Sequence, residues 1–170
     1  NVQELLTQDA AAQNRLLQYA AGRKSEAQAV CRLAEPWDKT YLSFADQALT
    51  GRLQPFMMAR CLDARLALAK LPVAASMSSG SVVMLLTDKM IERNNHLLQL
   101  RTSPGKLEAV STLEQEEVTM DMGAFTQLYF GAFSATELWE AGRIKCSDVR
   151  KLQLLDELFT KCRTYNNEYF

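Results

Sequence analysis

The stretch from Gly123 to Ile144, GAFTQLYFGAFSATELWEAGRI, restricts the fold more than any other part of the chain. Ser134 and Glu137 form an S-x-x-E capping box, in which hydroxyl and carboxylate each satisfy an amide that the first helical turn leaves unpaired. A helix therefore starts at Ser134. Gly131 and Gly142 stand where a left-handed residue ends a helix, so the stretch reads as two short helices, Met122 to Phe130 and Ser134 to Ala141. Leu138 and Ala141 face inward. Helices this short gain their stability from packing, and a sheet is the natural partner.

The residues before them change period. Val82 to Leu86, Leu97 to Leu100 and Leu107 to Leu113 read as three strands of a meander, separated by Asn94-Asn95 and by a Pro104-Gly105 turn. From Glu117 to Asp121, Val118 and Met120 alternate with Thr119 and Asp121, the period of a half-buried strand. Phe56 to Leu62 reads as a further buried strand, which gives a sheet of about five. Asp63 caps a helix from Ala64 to Leu71, ended by Pro72. A last helix runs from about Asp148 to Arg163, with Val149, Leu152, Leu155, Phe159 and Cys162 on one stripe. At the start of the chain, Val2 to Ala21 reads as an amphipathic helix stopped at Gly22, followed by a short strand, Ala27 to Leu33, and a helix, Tyr41 to Leu49. Gly51 and Pro55 break the pattern, which divides the chain into residues 1–50 and 51–170. The fold class is α+β.

Charge and composition narrow the chemistry. With 19 basic and 20 acidic residues the net charge is -1, and the basic residues are scattered, so no surface for nucleic acid or anionic membrane emerges. Cys31, Cys61, Cys146 and Cys162 have no metal-ligand spacing and read as free thiols, mostly of the core, in a reducing cytoplasm. The longest apolar run, Val82 to Leu86, is too short to span a bilayer. His96, the single histidine, reads as an ordinary turn residue rather than a catalytic base. Glu114, Glu116, Glu117 and Asp121 read as a solvated charge run, and the methionines (Met57, Met58, Met77, Met84, Met90, Met120 and Met122) as core filling. No glycine-rich phosphate cradle is visible. Tyr165, Tyr169 and Phe170 put three aromatics in the last six residues, apolar surface that favours a docked tail.

The segment LYFG followed by SATELWEAGRI resembles the C-terminal part of the acetyltransferases related to the mycobacterial enhanced intracellular survival protein, within the GNAT superfamily. Other pieces agree with it. Phe56 to Asp63 with Ala67-Leu68 is similar to the family's strand carrying Arg-x-x-Asp and the helix after it. Val82 to Leu86, Thr87-Asp88 and Asn94-Asn95 are similar to its next strand, Asp and Asn, and Tyr169-Phe170 to its aromatic ending.

The resemblance implies an order of domains: a catalytic GNAT domain, a second GNAT-like domain without catalytic function, then a domain of sterol-carrier-protein fold. Residues 1–50 would be the end of the second, and 51–170 a sterol-carrier-protein-like domain whose five-stranded sheet is covered by helices. Acetyl-CoA and the family's tyrosine general acid belong to the first domain, outside these residues. What the resemblance places here is the general base, the α-carboxylate of Phe170. Its ordinary pKa of about 3.5 makes it a weak base, and burial among aromatic rings raises it toward neutrality. The implied acceptor is a primary amine of a small molecule or a protein, and the implied assembly a homo-oligomer, a hexamer in family members. Two further readings stand beside it: an apolar-ligand-binding module, and an oligomerisation scaffold with no catalytic role.

Overall fold

The computed structural model describes residues 5–23, 29, 31–35, 38–44, 50–52 and 58–162. Two compact units divide the chain, Asn1–Phe56 and Met57–Phe170. In the first, α1 (Ala10–Ala21) starts where the Asp9 carboxylate accepts the Ala12 N–H at 2.7 Å. This cap shortens the expected Val2 to Ala21 helix, and residues 5–9 are irregular, because a side chain bonded to the first-turn amide marks a helix start. Of the expected strand Ala27 to Leu33, a single bridge at Arg32 is seen, while residues 27, 28 and 30 lie outside the described residues. In place of the helix Tyr41 to Leu49 stands a 3-10 turn, Thr40–Phe44, with residues 45–49 outside the description. Asp38 accepts from Arg32, from the Thr40 N–H (2.8 Å) and from the Thr40 hydroxyl (3.1 Å), and Gln13 Nε2 donates to Thr40 Oγ1 at 3.0 Å.

The second unit is a five-stranded sheet covered by helices: β1 (Gly80–Thr87), β2 (His96–Ser103), β3 (Lys106–Ser111), β4 (Val118–Asp121) and β5 (Ile144–Cys146), in the order β3-β2-β1-β4-β5. β1 to β3 form the antiparallel meander that the turn residues predict, with Val82 opposite Leu100 and Met84 opposite Leu98. β4 returns to lie parallel to β1, pairing Met84 with Val118 and Leu86 with Met120. Alternation then puts Val82, Met84, Leu86, Leu98, Leu100, Val118 and Met120 into one core. The covering helices are α2 (Ala64–Ala69), α3 (Met122–Tyr129), α4 (Ala135–Glu140) and α5 (Val149–Leu158), which contribute Leu68, Phe125, Leu128, Leu138, Leu152 and Leu155. Each such side chain, fully buried, contributes about 1.5–3 kcal/mol.

Two further expectations are corrected. Of the expected strand Phe56 to Leu62, residues 56 and 57 lie outside the described residues and 58–62 form no strand: Met58 is 96% exposed, and backbone groups here bond to side chains rather than to a ladder. Cys61 N–H donates to Thr126 Oγ1 (3.1 Å) and the Leu62 carbonyl accepts from Asn94 Nδ2 (3.2 Å). The fifth strand is instead β5, antiparallel to β4, a three-residue piece between Gly142 and the last helix. The last helix, in turn, ends at Leu158 rather than near Arg163, because Phe159 leaves helical geometry to bury its ring, 2% exposed, edge-on to Phe125.

The cysteines are not mostly core residues as expected: Cys61 is buried and Cys146 half-buried, but Cys31 and Cys162 are exposed. Met77, Met84, Met120 and Met122 fill the core as expected, whereas Met58 and Met90 do not. No helix among the described residues is long and apolar enough to cross a membrane.

Candidate functional site

Phe170, the one residue expected to take part in chemistry, lies outside the described residues together with Tyr165 and Tyr169. The structure does describe the platform from which that tail departs. α3 ends in a left-handed glycine: Gly131 has φ +66°, and the Ala132 N–H closes back on the Gln127 carbonyl at 3.0 Å. Ser134 then opens α4 with the capping box expected from sequence, its hydroxyl accepting the Glu137 N–H (3.1 Å) while Glu137 accepts the Ser134 N–H (2.8 Å). Asp156 of α5 reaches the same helix start and accepts from the Ala135 and Thr136 amides and from Thr136 Oγ1 (2.6 Å). α5 is thereby fixed against the α3–α4 turn.

The chain beyond α5 is held by the same turn. Cys162 N–H donates to the Gly131 carbonyl at 3.1 Å, its thiol to the Phe130 carbonyl at 3.1 Å, and Lys161 Nζ pairs with Glu137 at 2.6 Å. Lys161, with help from the Ser134 amide, holds the Glu137 carboxyl below its ordinary range. Beside this exit, Leu71, Pro72, Tyr129, Leu158, Phe159 and Thr160 line an open groove of about 290 Å³. That is just below the roughly 300–1,000 Å³ of small-molecule sites.

A second constellation collects the Arg60, Asp88 and Asn94-Asn95 positions. Asp88 is fully buried and accepts from Met90 N–H (2.8 Å), Ile91 N–H (3.1 Å), Asn94 Nδ2 (3.0 Å) and the Arg60 guanidinium. Asn94 Oδ1 accepts the Ala64 N–H at 3.3 Å, which ties the start of α2 to the β1–β2 connection. Asn95 clasps the backbone of Asp88 from both sides, accepting its N–H (2.7 Å) and donating to its carbonyl (3.2 Å). Burial alone would raise the Asp88 pKa, but the bonds from Asn94, the two amides and Arg60 outweigh it and hold the carboxyl at about 2. A carboxylate this acidic, with its lone pairs filled, is a latch and not a proton acceptor at neutral pH.

Because its folded pKa lies below the ordinary 3.8, Asp88 contributes its full stabilisation above that value and loses it as pH falls toward 2. The urea midpoint is expected to drop between pH 4 and pH 2, and Asp88→Asn to flatten that drop. Equal slopes for both proteins would contradict the latch.

Burial pushes the Cys61 thiol up, away from a reactive thiolate. His96 is the first residue of β2, its pKa lowered by burial and then by Arg65. Glu114 and Glu117 are not a free charge run: Glu114 accepts from Gln99 (3.2 Å), and Glu117 accepts the Val83 N–H (2.9 Å) and pairs with Lys151 (2.9 Å).

Among the described residues, every α-helix start is already capped by a side chain, which does not favour the pyrophosphate of coenzyme A. A pyrophosphate is readily held by exposed amides, as at a helix N-terminus. All five α-helices described fill that position with their own side chains, Asp9, Asp63, Asp121, Ser134 and Asp148. Four of these are carboxylates, which repel a phosphate.

Residues 64–167 match a family model described as a sterol carrier protein domain. No curated protein matches the chain. Among solved structures, it is similar to a GCN5-related N-acetyltransferase from Anabaena variabilis ATCC 29413, at 17% identity and TM-score 0.59 over 65% of this chain and 28% of that one. Eis1 from Mycobacterium abscessus is similar at 22% identity and TM-score 0.50, over 64% of this chain and 26% of that one. A GCN5-related N-acetyltransferase from Kribbella flavida is similar over 99% of this chain and 43% of that one, at 23% identity and TM-score 0.58. The likeness at these identities is one of fold, and the chain spans less than half the length of each of these structures.

Proposed function

This chain belongs to the sterol carrier protein domain family, and we propose that it forms the C-terminal part of an acetyl-CoA-dependent N-acetyltransferase acting on a primary amine, with the Phe170 carboxylate as general base. The observation that carries the reading is the LYFG/SATELWEAGRI match, on a fold shared with GCN5-related N-acetyltransferases. In this reading acetyl-CoA and the general acid are supplied by a preceding GNAT domain. The role of these residues is then to hold one carboxylate beside the attacking amine and take its proton. The amine is a small molecule or a protein side chain, the compartment is the cytoplasm, where thiols stay reduced, and the assembly is a homo-oligomer.

Appending two residues after Phe170 in the full-length acetyltransferase tests the reading, because the carboxylate is moved while the aromatic ring stays. Acetylation of the amine is expected to collapse with the melting temperature unchanged. An unaltered kcat would overturn the base assignment.

A second reading, an apolar-ligand module, is favoured by the groove along Leu71, Tyr129 and Phe159. Native mass spectrometry of the purified protein separates the two. A co-purifying lipid supports the module, and an empty protein with no fatty-acyl affinity counts against it.

A further inference from the structure

Thr160, Lys161 and Cys162 are exposed and belong to no helix or strand, so apolar burial does not account for where they lie. Directional contacts do. The Cys162 amide and thiol donate to consecutive carbonyls of the α3–α4 turn, Gly131 and Phe130, and Lys161 pairs with the capping-box Glu137. The turn approaches so closely that a Cβ on Gly131 would lie 2.6 Å from Cys162 N, 2.8 Å from Cys162 Sγ and 2.8 Å from the Thr160 carbonyl oxygen. Two of those three atoms are backbone.

Gly142 supplies the comparison. It has nearly the same left-handed conformation, φ +70° against +66°, yet a Cβ there would meet nothing within 4 Å. Left-handed backbone alone therefore explains Gly142. At Gly131 the missing side chain has a second use, which is to let the segment after α5 lie directly on the turn.

We infer that Gly131, with Glu137 opposite Lys161, is a positioning residue for acetyl transfer: the turn anchors the chain at Cys162 and sets where the remaining eight residues, ending at Phe170, begin. The inference rests on the reading of Phe170 as the general base. Restoring an ordinary 3.4 Å contact from 2.6 Å requires the anchor to move by about 0.8 Å. Misplacement by about 1 Å of a group aligned for reaction lowers rates up to roughly a hundredfold.

Gly131→Asn isolates the effect, because Asn tolerates a positive φ but still carries the Cβ, and Gly142→Asn is its control. In the full-length acetyltransferase, G131N is expected to speed hydrogen exchange at the Cys162 amide and lower kcat ten- to a hundredfold, with KM for the amine changed less than threefold. G142N should alter neither. Should G131N fail to fold, the pair K161A and C162A, at two exposed positions, is expected to lower kcat three- to tenfold. If exchange at Cys162 accelerates while kcat holds, and a C-terminal extension still abolishes activity, the clamp is wrong and the base assignment survives. If the extension is also silent, both fail.

Discussion

Phe125→Ala is expected to destabilise the Met57–Phe170 unit by about 3–5 kcal/mol, the usual cost of emptying a buried aromatic site. Phe125 is fully buried at the centre of α3, with Tyr129 tilted at 6.0 Å and Phe159 edge-on at 6.1 Å between ring centroids. Two aromatic partners add to the loss from transfer and cavity, each pair being worth about 0.5–1.5 kcal/mol beyond its buried area. The effect also reaches the end of α5, because the Phe159 ring that stops this helix loses its edge contact. Calorimetry should show the melting temperature of this unit falling by roughly 10–20 °C. A fall of a few degrees would mean that the core closes over the gap, and that the packing of α3 on α5 is less committed than its geometry indicates.

Much of the architecture is legible wherever a period or a cap governs it. Val82, Met84 and Leu86 announce β1, Val118 and Met120 announce β4, and Ser134 with Glu137 announces the start of α4. Elements set by tertiary partners are not. The run from Phe56 to Leu62 has strand composition, but at residues 61 and 62 its polar groups are taken by Thr126 and Asn94, far off in sequence. β5 is three residues long, too short for any alternation to register, and it exists because Gly142 turns the chain back beside β4.

The candidate site divides the same way. Asp88, Asn94 and Asn95 are visible as motif residues, but their convergence with Arg60 on one buried carboxylate depends on folding across 28 residues. Glycine at 131 is expected from helix termination alone. That its carbonyl holds Cys162, and that its bare Cα admits the Thr160 carbonyl, is a contact between segments that no local pattern encodes.

Those contacts bear on the catalytic role proposed for the tail, and the most direct measurement replaces one functional group. Semisynthesis of the full-length protein with Phe170 as its α-carboxamide keeps every ring and backbone bond and removes only the proposed base. General-base assistance contributes about 10²–10⁴ in rate. If the Phe170 carboxylate takes the proton of the attacking amine, kcat falls by at least a hundredfold, KM for the amine and the melting temperature stay within error, and the acidic limb of the kcat profile disappears. A carboxamide enzyme that turns over within twofold of the parent, with the same pH profile, would contradict the account.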